Sequence, residues 1–175
     1  MKTKRLTLLA LLTALALVLS YVESLLPPLT AVPGIKPGLG NLSVLLALYG
    51  LGVWPALALS AVRLTLSSLL FGTGMRFLYS LAGAALSFLA MALLKRTDRF
   101  SPVGVSVLGG VCHNLGQIAA ALLLLETPAI LGYLPVLLLT GTISGALIGL
   151  LGGWLLRRLK PFLETQSFWS GTARS

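Results

Sequence analysis

The chain's one histidine lies in Leu108-Gly109-Gly110-Val111-Cys112-His113-Asn114-Leu115-Gly116-Gln117-Ile118, inside a stretch otherwise apolar enough to cross a bilayer. A polar group left unsatisfied in hydrocarbon costs several kcal/mol, so such a cluster turns toward a protein interior, a cavity or a ligand. His113 and Gln117 are four residues apart and Asn114 and Gln117 three, which puts the cluster on one helical face. Its chemistry is hydrogen bonding: to a polar ligand on one reading, between neighbouring helices on the other.

Arg63 raises the same problem in a second apolar run, on a face shared with Ser60 and Ser67, and Glu23 raises it in a third. An arginine near mid-membrane must be paired, hydrated or turned to a ligand. Glu23 is one candidate partner and an anionic ligand is the other, and the two are compatible if they alternate. Lys36, Asn41 and Arg76 join the candidate ligand-binding set. Lys36 and Asn41 belong to the segment 27–41, whose prolines and glycines exclude a continuous helix. This segment is too apolar for an ordinary linker and reads as a cap or lid over a cavity. Arg76 follows the glycine turn Phe71-Gly72-Thr73-Gly74, and with Lys36 gives this half of the protein a field suited to an anion.

No catalytic constellation stands out. The only aspartate is Asp98, in a basic loop, and the four acidic residues are scattered over separate segments. The aspartate-rich, magnesium-holding motifs of prenyl-diphosphate chemistry are therefore missing, and so is a phosphate-binding G-x-x-x-x-G-K-[ST] loop. The single Cys112 excludes an internal disulfide and a multi-cysteine metal site.

The elements that must position these residues follow from composition. Of 175 residues, 57% are hydrophobic and 10% charged, against about a quarter charged in soluble domains. That is the composition of a multi-pass membrane protein of the all-α class. Apolar segments fall at about 6–26, 39–53, 55–71, 76–94, 102–125 and 131–157. They predict a six-helix bundle filling one domain over 1–160, with a tail over 161–175. The second segment is short, and reads as a short span or as one arm of a hairpin turning at Trp54-Pro55. The first exceeds a signal-peptide core and lacks a following A-x-A site, so it reads as a retained helix.

The net charge of +9 gathers at segment ends, as Lys2/Lys4/Arg5, Lys95/Arg96/Arg99 and Arg157/Arg158/Lys160. Six spans put all three clusters on one side, the cytoplasmic side of a bacterial inner membrane by the positive-inside rule. Membrane lipid, not nucleic acid, is the partner such clustering implies. The last segment repeats glycine at Gly141, Gly145, Gly149 and Gly153, a close-packing stripe for a neighbouring helix or for a partner protein. Ala10-x-x-x-Ala14 is a smaller version in the first segment.

Together, Glu23, the Pro33-Gly34-Ile35-Lys36-Pro37-Gly38-Leu39-Gly40-Asn41 loop, Arg63 and Gly109-x-x-x-His113-Asn114-x-Gly116-Gln117 resemble the Gx transporter family, over roughly residues 4–160. Members of that family are often labelled heptaprenyl diphosphate synthase component I. The family is similar to the substrate-binding S components of energy-coupling factor (ECF) transporters. The resemblance implies a small-molecule site lined by Glu23, Asn41, Arg63, His113, Asn114 and Gln117 under a gating 27–41 loop. It implies docking on an ECF coupling subunit and its ATPases through Ala10 and Ala14, and uptake of a vitamin- or isoprenoid-related ligand. It equally implies an isoprenoid, quinone or flavin-linked electron-transfer assembly, with no intrinsic cofactor and with flavin or quinone as ligand.

Overall fold

The computed structural model describes residues 2–25, 38–71, 74–126 and 128–165. Among them every long element is helical: α1 (Lys2–Leu25), α2 (Asn41–Gly50), α3 (Val53–Phe71), α4 (Gly74–Arg96), α5 (Pro102–Leu125) and α6 (Leu134–Thr165), with a 3-10 turn at Pro128–Tyr133 before α6. Five of these helices are long and apolar enough to cross a membrane. Such helices bond all their own backbone groups, the condition hydrocarbon imposes. The protein is a multi-pass membrane helical bundle, and leucines such as Leu11, Leu69 and Leu123 form its outward, lipid-type surface.

The second segment, expected as a short span or as one arm of a hairpin with the third, is short. At ten residues and about 1.5 Å per residue, α2 is about 15 Å long, half of a ~30 Å hydrocarbon core. It is also the most enclosed element. Leu42, Val44, Leu45, Leu46, Ala47 and Leu48 are buried and form the main core with Leu12, Ala16, Leu59, Val105 and Ile148. A helix apolar all round finds partners on every side only inside the bundle. The turn to α3 lies at Leu51-Gly52, where Gly52 has φ +101°, and not at Trp54-Pro55, which sit in the first turn of α3. Proline is tolerated there because that turn's amides have no intrahelical acceptor.

Glycine sets the remaining architecture. A Cβ on Gly145 would stand 2.7 Å from the Ser106 carbonyl oxygen and 2.8 Å from the Val107 Cα. Gly141 meets Gly110, and Gly149 meets Val103, in the same way. The stripe therefore serves packing within the chain, α6 against α5 backbone to backbone; the partner-protein reading of it fails, since that face is already covered. On the other side of α5, Gly116 meets Ala82 and Gly83 of α4. Helices α4, α5 and α6 thus make one antiparallel sheet of helices, and α1, α2 and α3 complete the bundle against it. Gly152 of α6 takes the Leu45 side chain of α2.

The direction of each helix follows from these contacts. Glu23, near the end of α1, bonds just ahead of α2, and Lys95 Nζ, near the end of α4, donates to the Leu48 carbonyl near the end of α2. Lys95 Nζ also lies 5.3 Å from the centre of the Tyr49 ring. The start of α1 and the ends of α4 and α6 are consequently at one end of the bundle, and the three basic clusters share it. Helix α6 continues through Pro161 to Thr165, past the expected boundary at 160.

Filling the stripe tests this packing. Gly145→Val should destabilise the purified protein by at least about 1–3 kcal/mol, because backbone closes the site on the α5 side. Gly153→Ala, where the nearest atom is 3.9 Å away, should stay within about 0.5 kcal/mol of the parent. Thermal unfolding in detergent reads both.

Candidate functional site

Arg63 is only 7% exposed. It lies ten residues into α3 from Val53, roughly 15 Å along the helix axis. That is the level at which α2 begins, and the two features meet. The guanidinium donates from Nη2 to the Asn41 Oδ1 at 2.9 Å and from Nη1 to the Ser20 Oγ of α1 at 3.5 Å. It lies against Gly40, the residue before α2, where a Cβ would stand 2.5 Å from Nη1. Only glycine lets the chain pass so close.

Glu23, 5% exposed, accepts a hydrogen bond through Oε1 from the Gly38 amide. Gly38 has φ +73°, a left-handed conformation that glycine adopts without penalty. Its carbonyl accepts from the Asn41 amide at 2.8 Å. Glu23 and Arg63 are thus both fastened to the segment Gly38–Asn41, one from α1 and one from α3.

His113 reaches the same region from α5. It lies eleven residues from Pro102, at about the depth of Arg63. The ring bonds to the Gly83 carbonyl of α4. Nδ1 is buried without a partner among the described residues, so Nε2 is the donor and Nδ1 is left as an unused acceptor. Asn114 is spent on structure: its Nδ2 donates to the Leu137 carbonyl of α6 at 2.6 Å. Gln117 packs its Cγ beside Gly83, in the α4–α5 seam.

A cavity beside Asn41 and His113 is lined by Gly38, Asn41, Ser87, Ser106, His113, Asn114 and Ser144, with Met91 and Ile148 as its apolar wall. Its volume, about 20 Å³, holds one water molecule. A larger guest requires the helices or the α1–α2 connection to yield. Of the candidate residues, Asn41, His113 and Asn114 line the cavity; Glu23 and Arg63 bond to its lining residues Gly38 and Asn41 and, like Gln117, stay outside the lining. Lys36, most of the 27–41 lid and the Arg76 side chain lie outside the described residues. Ala10 and Ala14 are exposed on the outer face of α1.

Four contributors escaped the sequence reading. Ser20 was findable, three residues before Glu23 and so on its face. Ser87 and Ser106 carry little signal, since serine is common in membrane helices. Gly83 has meaning only beside His113.

Over residues 12–155 the chain matches the family described as heptaprenyl diphosphate synthase component I. The match takes in every residue of the cavity and both buried charges, Glu23 and Arg63.

The chain belongs to that family.

No curated protein and no solved structure matches it significantly. The expected resemblance to the heptaprenyl diphosphate synthase component I family is thereby met, and the site just described lies within the part of the chain that defines membership.

The close approach at Gly40 has a direct test. Gly40→Ala should displace the Arg63 guanidinium and lower stability by about 1–3 kcal/mol. Combined with Arg63→Gln, the loss should be smaller than the sum of the two single losses, because the atom Gly40 makes room for is gone. Additive losses in thermal unfolding would separate Gly40 from Arg63.

Proposed function

We propose that the protein is a non-catalytic, ligand-binding membrane subunit whose mid-depth polar site receives the anionic or strongly polar end of a small molecule for uptake. The observation that carries this reading is the cavity lined by His113, whose Nδ1 is partnerless among the described residues, and by Asn41, which accepts from buried Arg63. A bundle needing only helix–helix cohesion has little use for an arginine and an unsatisfied acceptor at that depth, where both are costly. The segment 27–41 would gate the site. The exposed Ala10 and Ala14 would seat a transmembrane coupling subunit, with ATPases supplying the energy, in the manner of ECF S components.

The family description favours a second reading, a membrane subunit of an isoprenoid or quinone assembly. The same arginine would then face a prenyl diphosphate or a quinone, with flavin-linked electron transfer as the related case. The two readings differ in partner and not in site. Replacing Ala10 and Ala14 by Leu should abolish co-purification with a coupling subunit on the first reading and leave function intact on the second.

A panel of flavins, vitamins, quinones and prenyl diphosphates titrated into the detergent-purified protein tests the site. Arg63→Gln should weaken binding of whatever ligand emerges by one charge-assisted hydrogen bond, about 1.5–3 kcal/mol. Unchanged affinity would sink the reading.

The orientation we propose puts the basic end in the cytoplasm of a bacterial inner membrane, both termini included. In a Cys112→Ala background, Thr97→Cys should resist an impermeant thiol reagent applied to cells and Leu131→Cys should react. The reverse pattern inverts the topology.

A further inference from the structure

The hydrogen-bonding groups around the cavity are unevenly committed. Several of its donors are spent on the protein itself: Asn114 Nδ2 on the Leu137 carbonyl at 2.6 Å, the Ser144 hydroxyl on the Gly141 carbonyl at 3.4 Å and the Ser87 hydroxyl on the Met91 sulfur at 3.7 Å. The oxygens of Ser87 and Ser144 can still accept while their protons are engaged. On the α4 side the His113 ring is closed off by Gly83, whose carbonyl takes the ring N–H and where a Cβ would stand 3.1 Å from Cε1. That leaves Nδ1 as a bare acceptor, buried and partnerless among the described residues, on a ring that borders the cavity. A buried acceptor without a donor is costly, and an occupant of the cavity is the neighbour that can supply one. Among the described residues, no charged side chain lines the cavity.

We propose that the cavity receives an uncharged hydrogen-bond donor, a hydroxyl or the N–H of an amide or imide, and that this group binds His113 Nδ1. The proposal rests on the ligand-binding reading above and names the chemistry of the end that enters. An ionised carboxylate or phosphate has only acceptors to offer, and would set them against His113 Nδ1 and the serine oxygens. Its charge would also meet no counter-charge in the lining. A cation brings donors, but it too finds no carboxylate there, and the Arg63 guanidinium is held by Asn41 at the edge of the cavity. An N–H beside a carbonyl fits best. It donates to Nδ1, while Asn41 Nδ2, at the Gly38 edge, and the Ser106 hydroxyl can donate to its oxygen. Arg63, outside the lining, is left for an acceptor-bearing part of the same molecule. His113 is thereby a specificity-determining residue, because a ligand that presents an acceptor at this point leaves two buried acceptors unpaired.

The chain's one histidine makes the test direct. The full chain, carrying histidine isotope-labelled at its ring nitrogens, is held in detergent at neutral pH and observed by NMR, so both signals come from His113. The free protein should show Nε2 protonated and Nδ1 bare; a proton on Nδ1 overturns the proposal. Four probes of one shape then differ only in charge and in donors: acetamide, acetate, acetone and acetamidinium. Acetamide should move the Nδ1 resonance upfield, the direction of a hydrogen bond received. It should saturate the shift at a concentration about tenfold below that of any other probe, the worth of one hydrogen bond. No shift with acetamide, or the same shift with another probe at equal or lower concentration, overturns the proposal. If acetate prevails while a member of the panel still binds, the donor rule is wrong and the ligand-binding reading stands. If acetamide behaves as expected and nothing on the panel binds, the donor site holds and the uptake reading fails.

Discussion

A guanidinium buried against the first turn of a half-length helix is the constraint to which the rest of the site answers. Taking such a charge out of water costs several kcal/mol unless bonds and opposite charge repay it. Here the repayment comes from three helices. Ser20 and Glu23 approach from α1, and Asn41 from α2, while Arg63 itself rides on α3. Each of these contacts also fixes backbone: Glu23 holds Gly38, and Gly40 must lack a side chain for the guanidinium to lie where it does. The short helix is therefore placed by the charge, and the charge is tolerated because the helix is short.

The two halves of the bundle solve different problems. Helices α4, α5 and α6 approach through glycine, with backbone against backbone, which is how membrane helices gain dispersion where no hydrophobic effect drives them together. Such packing leaves little slack, and Asn114 clamps it further by bonding to Leu137. Helices α1, α2 and α3 meet instead through leucines and through the polar contacts of Arg63. Polar contacts that converge on one charge can be exchanged for others of equal strength, whereas a glycine seam can only open. The side of the cavity made by α5 and α6 is thus the fixed wall, and the side made by Gly38–Asn41 is the one with alternative partners. A water-sized cavity adjoins that wall, and the His113 Nδ1 beside it is partnerless among the described residues.

Much of this was legible in the residues. The all-helical membrane class, the boundaries of the five long helices to within a few residues apart from the end of α6, and the gathering of basic residues at one end follow from hydropathy and charge spacing, which are local properties. The chemistry of the site was legible too, because histidine, arginine and glutamate are so costly in hydrocarbon that their presence in apolar runs marks an interior. The glycine period of the last helix announced a packing face, though not whose.

Tertiary structure alone decided how these pieces meet. The sequence at 39–53 is apolar enough for a span, and only the burial of α2 on every side shows it to be a half-helix inside the bundle. The cluster on α5 reads as one face, yet its members divide: His113 and Asn114 line the cavity, Asn114 spends its amide on α6, and Gln117 sits in the seam with α4. Helical periodicity gives the direction of a side chain and not the neighbour it meets. Whether Arg63 pairs with Glu23 directly or through the backbone between them likewise depends on distances set by three helices at once. Composition and period settle what each residue must avoid, which is hydrocarbon; only the packed chain settles what it finds instead.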